Sequence, residues 1–457
     1  MPGWKKILDQ NVKEASTVSE GCGNVAENTN VINEEIFDDL CCPCCCARCR
    51  EEWKIYYYED WEKWRIKLWE WDSLYFRDSV SWREKIEKLA DELKLKKWVR
   101  VDFSYNEFWA EWAKILVEKV KLREWVRLIL RANRLWDEWA EEISKMKLEK
   151  WVAVDLSCNH IREKWAEKIA ENMNLKEWVS LDLSRNEFWE KWAEKISKIK
   201  LKKWVKLFLD DNWFWVEWAK KIAENLKLKE WVLLDLAYNE IWDEWVLHLA
   251  KKMKLMENVV LDLSCNKIWD EWVEAIAKNM KLEKWVSLKL NFNKIWVKWA
   301  KAFAENMKLE EWVMLSFLGD QLWDEWAEEI SKMKMQNWVK LVLADNRIGD
   351  KWAQAIAKNL EMKEKMVLDL WFNHIWAEWA KAIAENMKLE EWVAVRLSEC
   401  AIKDEWAQAL MENMELKNWV ILDLRGNGFS REMIRKLKAW ERLYHDKWIN
   451  CRVFVDW

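Results

Sequence analysis

No uninterrupted apolar run in this 457-residue sequence approaches the ~18 residues that a membrane span needs. The N-terminus lacks the basic start and apolar stretch of a secretory signal. Eleven cysteines, unevenly placed, are too few for a disulfide scaffold in so long a chain. Together these absences point to a reduced, cytoplasmic setting. Positive charge is not in excess either: 76 Lys and Arg stand against 81 Asp and Glu, a formal net charge of -5. That balance argues against nucleic-acid binding through a global positive field. The four histidines are scattered, with no Ser or Cys beside them in a nucleophile context. No Gly-x-Gly-x-x-Gly or phosphate-loop motif appears, even if every Trp is exchanged for Gly. Nothing argues for catalysis, and the chain reads as a non-enzyme. The sharpest deficit is glycine. Soluble chains usually carry about 7% Gly, whereas this one has seven glycines beside 44 tryptophans.

What is present is apolar surface and order. Hydrophobic residues make up 51% and charged residues 34%, so a large core is available and wholesale disorder is excluded. The core is organised by a repeat. A Leu-x-Leu-x-x-Asn pattern recurs with Asn at 106, 133, 159, 186, 212, 239, 266, 293, 346, 373 and 427, and Asp320 and Cys400 fill the two gaps in register. Successive spacings are 27 residues nine times and 26 three times. The three short repeats carry Ser (Ser144, Ser197, Ser331) where most others have Ala.

Each unit reads as a strand followed by a helix. Leu234 and Leu236 alternate with Leu233 and Asp235, the period of a strand with one buried face. Beyond the Asn, Trp272, Ile276 and Met280 recur at helical spacing. Asp-Glu pairs, such as Asp243-Glu244, fall in the first helical turn, where the helix dipole favours negative charge. No unit can bury its core alone, so the units must stack and join their strands into one parallel sheet.

Leu261-Asp-Leu-Ser-Cys-Asn266-Lys-Ile268, followed by a helix from Asp270 to Asn279, resembles the leucine-rich repeat family, in its ribonuclease-inhibitor-like class. The resemblance spans about residues 82 to 430 and implies an α/β solenoid, or horseshoe, of about thirteen repeats. Its parallel sheet would lie on the concave face and its helices on the convex face. Four parts are expected from N to C: a polar, disordered segment at 1–52, a small β-meander at 53–80, the solenoid at 81–430 and a C-terminal cap at 431–457. The meander rests on three apolar stretches at 55–58, 65–68 and 73–76, and a capping box at Ser81 and Glu84 opens the solenoid helix.

Tryptophan concentrates in three slots of the repeat. It stands eight residues before the ladder position in eleven of thirteen units, three residues after it in nine, and six residues after it in twelve. In similar repeats the latter two slots hold Gly, and Gly349 keeps one of them here. The slot three residues after the ladder reads as a tight turn where glycine supplies positive φ. The slot six residues after it lies in the first helical turn, where a small residue lets helix and sheet approach. These placements motivate the expectation that UGA codons, read as glycine by the source organism, were translated here as tryptophan. The competing reading is a genuine Trp-rich array whose indoles line the outside of the coils and offer a binding surface there.

Two further patterns carry chemistry. Six thiols crowd residues 41–49. Cys41 with Cys44, and Cys46 with Cys49, have the two-residue spacer that puts both sulfurs on one zinc ion. No separated second pair or His completes a finger, and acylation or a bland reduced segment would use the same residues. The second pattern lies four residues before the ladder, on the concave face. Asp102, Asp155, Asp182, Asp235, Asp262, Asp369 and Asp423 occupy this column, which Phe208, Lys289 and Arg396 interrupt. Such a column would steer a basic protein partner, although Leu-Asp-Leu is also a structural habit of these repeats. Tyr105, Tyr238, Phe292 and Phe372, one residue before the ladder, are candidate aromatic anchors. Fold-level analogy thus gives a non-catalytic protein-binding scaffold. The alternatives are a small-GTPase regulator, tested by stimulated GTP hydrolysis, and a metal or redox module in the Cys segment, tested by zinc retained on residues 1–80.

Overall fold

The structure, a computed structural model, describes residues 55–57, 73–75 and 98–456, less 107–109, 120–121, 136, 174, 187–193, 213–215, 242, 269, 294, 296–297, 321–323, 350–354, 356–357, 376–385 and 448. The thiols expected to hold zinc, Cys41, Cys44, Cys46 and Cys49, lie outside these residues. So do the strand expected at 65–68 and the capping box of Ser81 and Glu84. The chain divides into two compact units between Ile55 and Tyr56.

Alternation of apolar residues builds the strands. Val232, Leu234 and Leu236 point into the core and are fully buried, as are Val259, Leu261 and Leu263 one coil later. The residues between them face the other side of the sheet. Burying each such Leu or Val stabilises the fold by about 1.5–3 kcal/mol. Every strand is three residues long and pairs in parallel with the next, as Leu233–Asp235 does with Val260–Asp262. Among the described residues, sixteen strands form one sheet in strict chain order, from Ile55–Tyr57 to Arg452–Phe454. Helices such as Glu163–Asn172, Val216–Asn225 and Asp270–Asn279 return the chain, and Ile169, Ile222 and Ile276 seal the core from the helical side. The fold is an α/β leucine-rich-repeat solenoid.

Asparagine joins the coils. Asn159 Nδ2 donates to Leu130 O, Leu156 O and Ser157 O, each at 2.9 Å. Its Oδ1 accepts from Asn133 N at 2.7 Å, and its own N–H donates to Asn186 Oδ1 at 2.9 Å. The pattern repeats along the array, for example at Asn186, Asn212 and Asn266. These turns are buried, and an unmade bond there would cost about 1–3 kcal/mol. Asparagine suits the position because one side chain supplies both donor and acceptor.

The three short repeats have a structural cause. Their helices Asp137–Ser144 and Asp324–Ser331 are eight residues long, against ten in Asp270–Asn279. Ser197 Oγ and Ser331 Oγ donate back to Glu194 O and Glu328 O, which ends the helix at the serine. Each serine then accepts from the asparagine amide of the next coil: Asn172 on Ser144, Asn225 on Ser197 and Asn359 on Ser331, at 3.0–3.3 Å. Where the preceding repeat is a long one, the equivalent amide turns to its own helix, as Asn306 does to Ala302 O.

Both ends differ from the sequence reading or add to it. Ser73–Tyr75 is not a strand of a separate meander, because it pairs in parallel with Arg100–Asp102, Ser73 opposite Arg100 at the 27-residue step of the later coils. A hairpin cannot join parallel neighbours, so the sheet extends into the segment assigned to the meander. The C-terminal helix is Arg431–Asp446, with Ser430 Oγ accepting from Met433 N as its N-cap. Its Met433, Leu437 and Trp440 are buried, and the final strand, Arg452–Phe454, pairs with Ile421–Asp423.

The tryptophans three residues after the ladder lie outside the described residues, but other residues of that slot are described. Arg162 and Lys403, in that slot, are helix N-caps with extended backbone (φ -117° and -100°). Among the described residues, left-handed backbone falls one before the ladder, as at Tyr105 and Cys158, one after it, as at His160 and Gly428, and eight before it. An N-cap needs β-region dihedrals while its carbonyl already accepts the first helical bond, so the reversal of direction is made before that point.

Candidate functional site

The aspartate column lies on the strand face turned away from the core, but its carboxylates are largely occupied. Asp102 Oδ1 accepts from Ser104 N and Ser104 Oγ, and Asp155 and Asp182 accept in the same way from Ser157 and Ser184. Asp235, Asp262, Asp369 and Asp423 accept from the backbone N–H two residues on. The carboxylate thus closes the turn that follows each strand, and Asp102 is only 2% exposed. Four of the seven also face a cation: Asp102 with Arg100 at 3.9 Å, Asp262 with Lys289 at 3.1 Å, Asp369 with Arg396 at 3.0 Å and Asp423 with Arg425 at 2.6 Å. Lys289 and Arg396, which interrupt the column, are the groups that face Asp262 and Asp369.

Carboxyl groups without an ion-pair partner remain in the middle of the array. Among the described residues, no ion pair reaches Asp155, Asp182 or Asp235. Asp210, two residues beyond Phe208, joins them. Ser184 Oγ lies 2.5 Å from Asp182 Oδ1 and closer still to Asp210 Oδ1. A hydroxyl has one proton to give, so holding both acceptors requires one carboxyl to bring its own. Burial and the neighbouring Asp155 and Asp210 raise Asp182 to about 7, and burial also raises Asp210. Burial, Asp262 and Asp210 push Asp235 well above the usual carboxylate range. Phe208 is half-buried between Asp182 and Asp235, its register partners. Lys206, on the same strand and face, is pulled down to about 8 by burial and then by Arg127.

The aromatic column reaches solvent. Tyr105, Tyr238 and Phe372 are 48%, 43% and 48% exposed, and Phe292 is half-buried. All four have positive φ, between 53° and 61°. The Phe292 ring lies over Gly319, where a Cβ would collide with it. Tyr238 stands on the coil that carries Asp235, whereas Phe292 stands on the coil of Lys289. The sequence reading missed Ser184 and Asp210; the signal available was the recurrence of serine two residues after the aspartate column.

The metal site expected at Cys41, Cys44, Cys46 and Cys49 falls on none of the described residues, and its geometry enters no part of this site. Among the described residues, no group of three or more His, Cys, Asp or Glu side chains is placed to hold a metal ion. The described cysteines stand apart from one another as free thiols.

The tryptophans eight residues before the ladder form a second column. Trp98, Trp125, Trp151, Trp178, Trp204 and Trp231 stack face to face with centroids 3.8–4.0 Å apart. Asn258 and Lys365 interrupt the series, Lys365 Nζ lying 4.1 Å over the Trp338 ring. All eleven tryptophans have φ between 62° and 69°. The left-handed region costs a side-chain-bearing residue about 1–2 kcal/mol, and a stacked aromatic pair returns about 0.5–1.5 kcal/mol. The stack at best offsets the backbone it stands on. Of the tryptophans six residues after the ladder, Trp139 and Trp406 alone have described side chains, and both are buried.

No known family profile matches the chain, and no curated protein matches it. Among solved structures it is similar to a chain from the crystal structure of the Rad7 and Elc1 complex in yeast. The two share 13% identity with a TM-score of 0.42, over 71% of this chain and 84% of that one. A likeness at this level concerns the fold alone. No helix among the described residues is long and apolar enough to cross a membrane.

Proposed function

We propose that the chain is a non-catalytic, ribonuclease-inhibitor-like scaffold of the reducing cytoplasm that binds a basic protein segment across the central coils. The observation that carries this reading is the carboxyl cluster of Asp155, Asp182, Asp210 and Asp235, beside the exposed ring of Tyr238, in a stretch of the column where no ion pair is made among the described residues. A lysine or arginine laid on it would supply countercharge, and the exposed ring beside it would pack the apolar stem of that side chain. None of these residues is tryptophan, so the site is the same whichever way the tryptophan codons are read. The free thiols of Cys158, Cys265, Cys400 and Cys451 accord with a reducing compartment.

The test uses a lysine- and arginine-rich peptide with interleaved aromatic residues as probe and its acidic counterpart as control. Asp182→Asn with Asp210→Asn should weaken the basic probe about tenfold, or ~1.4 kcal/mol. A bound cation favours the ionised cluster, so wild-type affinity should rise as pH increases from below to above about 7. Equal binding of both peptides, or an unchanged affinity in the double variant, would remove the acidic face from consideration.

A further inference from the structure

We infer that the eleven tryptophans eight residues before the ladder are glycines in the protein as its own host makes it, whereas Trp440 is a genuine tryptophan. The host would read UGA as glycine where the present sequence reads tryptophan. The first support is the backbone. All thirteen residues of that column, including Asn258 and Lys365, adopt φ of 62–69°. The column one residue before the ladder is equally left-handed, and there the chain uses Tyr, Ala, Cys, Arg, Asp, Phe, Glu and Gly. In that column, left-handed backbone is imposed and composition is mixed. A left-handed column filled eleven times by one residue calls for the residue that the conformation itself selects, which is glycine.

The second support comes from a different slot. Trp406, six residues after the ladder, is buried in the first turn of helix Asp404–Asn413, and its indole Nε1 has no hydrogen-bond partner. A buried indole normally finds an acceptor for its N–H; glycine would leave no such group. Third, Gly319, Gly426 and Gly428 all stand at positive φ, so this chain does use glycine on left-handed backbone.

Trp440 is the opposite case. It sits inside the regular helix Arg431–Asp446, is buried in the cap and meets the Tyr444 ring edge-on at 5.8 Å. Glycine there would open a cavity and weaken the helix. The structure thus divides the tryptophans into those that backbone geometry rejects and at least one that packing requires.

Peptide masses from the protein isolated from its native host, read beside the gene, test this division. The expected result is UGA codons and glycine masses at the eleven column positions, with UGG and a tryptophan mass at position 440. Tryptophan masses at the column positions would overturn the inference, and glycine at 440 would overturn the structural division. A recombinant pair supplies a second readout. The chain with all eleven column residues changed to glycine should melt at a higher temperature than the chain as written, while Trp440→Gly should melt lower. A lower melting temperature for the eleven-glycine chain would mean that the indole stack is a selected part of the fold.

Discussion

Asp320 holds a ladder position built for an amide. Its Oδ1 accepts from Asn293 N, as asparagine would, but Oδ2 is buried without a partner. Burial raises its carboxyl well above the usual range. The unfolded-state value is near 4, so the folded form holds a proton that the unfolded form loses. Stability from this group is fully present below pH ~4 and is lost as pH rises through the folded value. Asp320→Asn should therefore stabilise the protein at pH 7 by about 1–3 kcal/mol, with the gain shrinking toward pH 4. Urea midpoints of the two chains at both pH values are the measurement. A gain that does not depend on pH would mean that the cause is not the proton. Cys400 solves the same problem differently: its thiol donates to Leu370 O at 3.1 Å and, held protonated by burial, is pushed up to about 12. The sequence showed both residues to be in register, but the donor each must supply became visible only with the carbonyls around it.

At the scale of the element, the single-residue difference between repeats turns on one hydroxyl. Ser197 both closes its own helix through Glu194 O and receives the amide of Asn225. Ser197→Ala removes both bonds of the hydroxyl, the one to Glu194 O and the one from the exposed Asn225, so a loss of about 1 kcal/mol is expected. Inserting one residue after position 197 to restore the 27-residue step should not recover that loss, because the helix would still lack the serine that ends it. Thermal unfolding of both variants decides this, and a neutral Ser197→Ala would reduce the serine to a mere correlate of length. Spacing alone linked serine to the short repeat; the reason lay in the neighbouring coil, 28 residues away. At Arg162 and Lys403 the turn into the helix is an N-cap, and glycine suits both an N-cap and a left-handed turn. Composition cannot separate the two.

Across the whole molecule, stacking brings side chains 26–27 residues apart into one electrostatic unit. Asp182 and Asp210 share Ser184 for this reason. With Asp182 raised to about 7, the sign is that of a buried acid: its contribution is complete below the ordinary carboxylate value near 4 and declines as pH rises to about 7. The melting temperature should fall across that window in the wild-type chain, and Asp182→Asn should flatten the fall. An equally steep fall in the variant would locate the titration elsewhere. The inter-coil pairs of the surface, such as Lys150–Glu177 and Lys203–Glu230, are exposed and contribute little. Salt should accordingly leave this pH profile nearly unchanged.

The sequence by itself determined the repeat, its period, the alternation that makes each strand and the asparagine register. All of these follow from local periodicity, which one chain displays in full. It also exposed the tryptophan anomaly, because a residue in the wrong place is visible wherever the place recurs. Only the tertiary structure decided which aspartates are neutralised, which share a proton, and that Ser73–Tyr75 continues the same sheet. It alone showed which tryptophans stand on left-handed backbone. Those properties belong to neighbouring coils and to dihedral angles, and a linear pattern contains neither the partner across the coil nor the sign of φ.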